Sequence, residues 1–265
     1  MFSALPNYLS LAAAYVRLNF RSQLEYRGAF LSQVVAMFIN NCIWTVFWCF
    51  FFHRFPVLRG WTLTDYITLW ALSASGFGLA GSFLGNGLHL ARIIARGELD
   101  SWLLYPRALL PHLLLGKMSA TAIGDVLFGY AVYLVMVRPD LQHFFMFCVL
   151  TVAVATVFAG FNIASGSLSF YLGNAEALSE QWLFAMITFS TYPATLFEGS
   201  IKFVLFTIIP AGFISYLPVA SLRHRSCTEA ALACAGALVV LAAGVAMFHH
   251  GLRRYESGNL MEMRG

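Results

Sequence analysis

Few residues in this chain combine a reactive type with a telling position. Asp125 is the one carboxylate deep within a long apolar run, KMSATAIGDVLFGYAVYLVMV at residues 117–137. A carboxylate surrounded by hydrocarbon faces protein or water, where it joins an ion pair or marks a substrate route. The alternative is a protonated or hydrogen-bonded packing role. Asn40 and Asn41 lie near the middle of another apolar run, and an amide pair there needs a partner on a neighbouring helix. These three residues are the candidates for a pathway.

No catalytic group emerges. A serine nucleophile needs a base within reach, and Ser167 and Ser169 sit among small residues with no histidine in a suitable neighbouring run. The H-E-x-x-H zinc signature is absent. Cys42, Cys49, Cys148, Cys227 and Cys234 form no C-x-x-C pair and are expected to be buried thiols. Gly116-Lys117 lacks the upstream glycine and the following hydroxyl of a phosphate-binding loop. No catalytic residue, metal site or cofactor is therefore expected in this chain.

The elements that position Asp125 and the asparagines must be membrane helices. Of 265 residues, 60% are hydrophobic and 11% charged, where a soluble domain carries about 25% charged residues. Mean hydropathy is +0.74. So little charge cannot coat a globule in water. At about 20 apolar residues per crossing, the chain has room for about six spans and no separate soluble domain. One all-α transmembrane unit over residues 1–265 is expected. No basic patch with interleaved aromatics points to nucleic acid.

Residues 8–26 carry Leu9, Ala13, Val16, Phe20 and Leu24 on one helical face. Arg17, Arg21 and Glu25 lie on another, the pattern of a helix resting in the membrane interface. Six apolar segments follow, at about 30–52, 63–87, 113–137, 143–172, 177–191 and 228–250. Asn174 is expected to cap the fifth, with Glu176 in its first turn. Glu198 and Lys202 are four apart, suited to a pair across one helical turn or to a headgroup boundary.

Residues 190–222 are apolar but broken by Pro193, Gly199, Pro210, Gly212 and Pro218. They read either as one kinked span or as two half-helices turning back near Pro210. Half-helices of about 8–10 residues reach only about 12–15 Å, too short to cross. Charge asymmetry favours the turned-back reading narrowly. With six spans, basic residues divide ten to six in favour of the side carrying 88–112 and both termini. With seven they divide nine to seven.

Residues 91–107, ARIIARGELDSWLLYPR, form a charged interruption between apolar runs. Gly97 suits the position just past a helix end. Asp100 or Ser101 is expected to cap a new short helix, which Pro106 stops. Leu99, Trp102 and Leu103 fall on one helical face by spacing. The result is a small stiff knob. Trp102 and Tyr105 serve either to dock a partner or to anchor at the headgroup belt.

GELDSWLLYP resembles the G-x-L-D-x-x-L-x-x-P loop of permeases of the type-two ABC exporter family. TYPATLFEGSIKFVLFTIIPAGFISYLPV resembles the late Y-P…P-x-x-x-x-x-Y-x-P stretch of one branch of that family. The order of elements along nearly the whole chain fits as well.

The resemblance implies six transmembrane helices with an N-terminal interfacial helix, in a bacterial inner membrane with both termini cytoplasmic. Residues 97–106 would be the coupling helix, with Gly97, Glu98, Leu99, Asp100, Trp102, Leu103 and Pro106 meeting a cytosolic ABC ATPase dimer that holds ATP and Mg. Residues 192–217 would be a re-entrant hairpin at the outer gate, carrying Tyr192, Pro193, Pro210 and Tyr216, with Pro218 beside it. A second permease completes the transporter, a heterodimer being favoured, and the surroundings are membrane lipid. The cargo would be amphipathic or hydrophobic. The competing class is an ion-coupled secondary transporter, which would show internal repeats with broken mid-membrane helices. Only one such broken segment is found.

Overall fold

The computed structural model describes residues 5–197 and 199–255. Thirteen α-helices follow one another among the described residues. The first, α1 (Leu5–Glu25), leads into α2 (Arg27–Arg54) and α3 (Leu63–Phe83). Short helices come next: α4 (Leu90–Ala95), α5 (Leu99–Leu103) and α6 (Leu109–Leu114). Then come α7 (Ala120–Val132), α8 (Leu141–Ser167), α9 (Ser169–Leu172) and α10 (Glu176–Ser190). The last are α11 (Ser200–Thr207), α12 (Gly212–His224) and α13 (Cys227–Leu252).

Among the described residues, four stretches are long and apolar enough to cross a membrane: α2, α7 with the π-helical turn after it, α8 with α9, and α13. A fifth counts only if α3 and residues 85–95, bent by 89° from it, are taken as one broken span. α10, at 15 residues, is shorter than a full crossing. The six-segment expectation thus meets four clear spans, one bent pair and one short helix.

Local chemistry explains where the helices start. Thr62 and Asp65 form a capping box on α3, each side chain taking the other's backbone N–H. Asp140 accepts the His143 N–H at 2.8 Å to open α8, and Ser226 accepts the Glu229 N–H at 3.3 Å to open α13. Asn174 Oδ1 accepts the Glu176 N–H at 3.1 Å, but the cap position of the fifth segment is Ala175, so Asn174 holds the turn just before the helix rather than capping it.

Small residues let the long helices close on one another. A Cβ at Gly78 would meet the Ala122 backbone, and one at Gly129 the Ser75 side chain, which fixes α3 against α7. Gly160 and Gly244 do the same between α8 and α13. Without a hydrophobic driving force between helices in lipid, such close approach supplies the packing.

Several expectations need correction. The second segment does not run on to Arg96 as one helix. It breaks at Leu84, where the Gly85 N–H donates to Lys117 O at 3.0 Å and Asn86 Nδ2 donates to Leu113 O at 2.8 Å. These bonds to a neighbouring backbone replace the helix's own. The third span begins at Ala120 rather than Leu113, because Leu113 belongs to the short helix α6 and residues 115–119, with the Lys117 acceptor among them, stay non-helical. The cysteines are free but not buried: four are half-buried and Cys227, at the first position of α13, is exposed.

The late segment folds as two helices, α11 and α12, either side of a break at Ile208–Ala211. Phe206 turns back onto Phe213 and Tyr216, with ring centroids 5.3 and 5.7 Å away. The second helix is longer than expected. It runs through the buried Pro218 to His224, well past residue 217. Its Ile214 sits in the cluster of Ala80, Phe158 and Ala237, while Leu222 joins Trp61 and Tyr66. The Glu198–Lys202 pair lies outside the described residues.

Candidate functional site

Two regions hold the residues singled out by sequence. The first is a cavity of about 650 Å³ between α2, α3, α7, α8 and α10. Its wall includes Asn40, Asn41, Asp125 and Tyr192, so the structure brings the three pathway candidates together with one gate candidate. Pro193 is buried next in sequence, whereas Pro210, Tyr216 and Pro218 belong to the α11–α12 hairpin and do not line this space.

The two asparagines diverge. Asn41 is buried, donating from Nδ2 to Asp125 Oδ1 at 2.7 Å and to Met37 O at 3.1 Å. Asn40 is exposed toward the cavity side of α2. A one-residue step turns about 100° around a helix, so only one of the pair reaches α7. Gly124 makes that reach possible, because a side chain there would collide with the Val34 carbonyl of α2.

Aromatic rings dominate the rest of the wall. Trp48 lies 4.0 Å from Tyr66 between centroids and 6.3 Å from Tyr192. Trp70 stacks on Tyr66 at 6.3 Å and approaches Trp44 at 6.4 Å. Two cavity side chains carry buried polar atoms without a hydrogen-bond partner among the described residues: Asp125 Oδ2 and Trp70 Nε1. Such atoms are rare in folded proteins. An acceptor and a donor set in an apolar, aromatic wall suit an amphipathic ligand with a few polar groups. Tryptophan positions were not legible as cavity-forming, since they are spread over α2 and α3.

The second region is the end of the bundle where α3 and α13 finish. α4 closes with paired bonds, Gly97 N–H to Ile94 O at 3.1 Å and Glu98 N–H to Ile93 O at 3.0 Å. Gly97 takes φ +69°, the left-handed backbone such a closure requires. α5 then starts at Leu99, and neither Asp100 nor Ser101 caps it. Asp100 Oδ1 instead accepts the Tyr255 hydroxyl at 2.9 Å, and Ser101 Oγ donates to Glu98 O at 2.8 Å.

The expected common face of Leu99, Trp102 and Leu103 is divided. Leu99 is fully buried with Leu110, Leu113, Ile163 and Phe248. Trp102 is half-buried, its ring 5.1 Å from that of His112 and its far edge against Gly116. Leu103, Leu104 and Tyr105 point outward at 47%, 85% and 57% exposure, with Pro106 and Glu98 also exposed. The anchoring side of the knob is therefore Leu99–Trp102 and the free side is 103–106. Leu104 was missed because helical spacing alone cannot say which face its neighbours cover.

His112 ties a further element to this end. It is buried beneath Trp102, Tyr105 and Tyr15, and the Tyr15 hydroxyl lies 2.8 Å from its Nδ1. Asn19 Nδ2 donates to Leu115 O at 3.0 Å. Thus α1 is fastened to the base of the knob. Burial, with the Arg107 charge beside it, holds the His112 imidazole below its usual value. Arg96 reaches Glu176 at 3.8 Å, linking the end of α4 to the start of α10.

A bundle of apolar helices around an aromatic-walled cavity, with a stiff projection at one end, is the architecture of a membrane transport subunit. The family model described as ABC-2 family transporter protein matches residues 38–258, and the chain belongs to that family. It is a multi-pass transmembrane permease, a component of an ABC transporter rather than its catalytic part, and membership implies partnership with an ABC ATPase. No curated protein and no solved structure matches the chain.

Proposed function

We propose that this chain is the membrane subunit of an ATP-driven exporter of amphipathic or hydrophobic small molecules or lipid-like cargo. The observation that carries this reading is the division of α5: one face locked into the protein, the other bare and apolar. Leu99, Trp102 and the Asp100–Tyr255 bond fix the knob's base. Leu103 and Leu104 are free to seat in a groove of a separate cytosolic ATPase, beside the exposed edge of Tyr105, whose ring also packs on His112. Exposed apolar patches on a stiff support mark interaction sites.

In this reading Gly97, Glu98, Asp100 and Pro106 shape and flank the contact, and an ATPase dimer binds ATP with Mg. Force enters at α5 and passes through α4, which packs on α8, α9 and α10. α10 borders the cavity through Phe184, Ile187 and Thr188. A push at the knob thus has a short solid path to the cargo space. The chain crosses six times, by α2, α3, α7, α8, α10 and α13, in a bacterial inner membrane with both termini cytoplasmic. α11 and α12 form a re-entrant hairpin at the outer gate. Their aromatic turn and the mid-bundle packing of Ile214 support this. A second, non-identical permease completes the enclosure, since the cavity is open on one side.

Co-expression with its native gene neighbours, an ABC ATPase expected among them, tests the proposal. The tagged chain should retain that ATPase through detergent purification, and cargo should raise hydrolysis in proteoliposomes. Failure to retain any ATPase overturns the reading.

A further inference from the structure

A second cavity, about 400 Å³, lies at the other end of the bundle, where α3, α8 and α13 begin. Three guanidinium groups converge on it: Arg138, Arg223 and Arg225. Asp65 and Asp140 are its carboxylates, so with His143 neutral the pocket keeps one surplus positive charge.

The pairs that offset the other two arginines are loose. Arg223 sits 3.8 Å from Asp65, and Arg225 sits 3.2 Å from Asp140, with both arginine side chains about half exposed. Exposed pairs of this kind are worth little, so a better anion can compete. Asp140 is also engaged by the His143 N–H and ring. Arg138 has no carboxylate partner among the described residues; its Nε donates to Val135 O at a long 3.4 Å. Both Arg138 and Arg225 hold left-handed backbone, at φ +51° and +54°. This conformation is strained for a non-glycine residue and gathers at functional sites. Arg138 follows a π-helical turn at Tyr133–Val137, another feature frequent at such sites.

The remaining wall is of two kinds. Thr64, Thr68 and Tyr133 offer hydroxyls, while Val137, Val219 and Leu222 are apolar. The neighbouring Leu134 and Val135 are exposed at 48% and 68% on a segment apolar enough to span a membrane, so the pocket adjoins a lipid-facing surface. We propose that it binds a phosphate monoanion carried on an apolar tail, as in a phospholipid headgroup or an amphipathic phosphoester. Guanidinium forks match phosphate oxygens two at a time, one surplus charge neutralises one phosphodiester, and the apolar wall takes the start of the tail.

Native mass spectrometry of the full chain in detergent tests this with three probes: dihexanoyl phosphatidylglycerol, glycerol 3-phosphate and dioctanoylglycerol. The phosphatidylglycerol should bind at least tenfold more tightly than either of the others. Arg138→Gln with Arg225→Gln should weaken it tenfold or more, and Arg138→Lys should weaken it less, since charge remains without the fork. Equal binding of dioctanoylglycerol would show that phosphate is not read. Equal binding of glycerol 3-phosphate would show a free-anion site without the tail. Unchanged binding in the double glutamine variant would mean that the lipid sits elsewhere. Each of these three results overturns the proposal, and the wild-type comparisons hold even if a variant fails to fold.

Discussion

Asn41 on α2 and Asp125 on α7 are joined side chain to side chain at 2.7 Å, both buried, across 84 residues of sequence. Asp125 uses one oxygen for this bond and keeps the other unpartnered beside the cavity. The bond ties α2 to α7; in the proposed function the second oxygen is the one that would meet cargo. Removing one partner strands a buried polar group at about 1–3 kcal/mol, whereas replacing both with apolar groups is nearly neutral. Asn41→Leu should therefore lower the unfolding temperature of the detergent-solubilised protein, and the Asn41→Leu/Asp125→Leu pair should recover much of it. Asp125→Asn keeps an acceptor for Asn41 and should fold normally, but should reduce cargo-stimulated ATPase at least tenfold. Full stimulation in that variant would leave Asp125 a packing residue.

The division between the buried base of α5 and the exposed turn that follows it separates two substitutions. Leu104→Arg changes an 85% exposed side chain and should leave thermal stability within about 0.5 kcal/mol. It should cut the amount of co-purifying ATPase at least tenfold. Trp102→Ala empties the half-buried space between His112 and Gly116 and should cost stability, on the order of 2 kcal/mol. If Leu104→Arg binds ATPase as well as wild type, the exposed tip is not the contact.

What could be read from sequence was whatever is encoded by neighbours in the chain. The apolar runs, Glu176 in the first turn of α10, the Gly97 helix end and the break at Pro210 all follow from local residue type. What could not be read depends on contacts between distant segments. Helical spacing groups Leu99 with Leu103, but Phe248 and Ile163 cover Leu99 whereas Leu103 stays about half exposed. The turn at Leu84 rests on acceptors from residues 113 and 117, which no local pattern reveals. Likewise, Asp125 was recognisable as an unusual carboxylate, yet its choice of Asn41 over Asn40 follows from the rotation of α2 against Gly124.

His112 makes the attachment of α1 sensitive to pH. Tyr15, Trp102, Tyr105 and Arg107 are the groups around its ring. Burial first, then the Arg107 charge, depresses its folded value, so the neutral ring is favoured. The sign follows: this contribution is complete above the unfolded value of about 6.5 and is lost as pH falls through the lower native value. Amide exchange over residues 12–19, corrected for intrinsic rate, should quicken several-fold from pH 7 to pH 5. His112→Gln should be flat across that range. Wild-type protection that does not change with pH would sink the idea.

The Tyr255–Asp100 bond fastens the chain just past α13 to the knob 155 residues away, and Phe170 backs the tyrosine ring at 6.0 Å. Tyr255→Phe keeps the ring and removes only the donor, a loss of about 1 kcal/mol. Leu99 and Trp102 still hold the base of the knob, so ATPase binding should stay within twofold of wild type. What should suffer is transmission: a knob that has lost its link to Tyr255 can tilt without moving α13. Cargo export per ATP hydrolysed should fall several-fold in proteoliposomes while basal hydrolysis is unchanged. Asp100→Asn keeps an acceptor for the hydroxyl and should retain most of the wild-type ratio. If Tyr255→Phe exports at the wild-type ratio, α13 takes no part in carrying force from the knob.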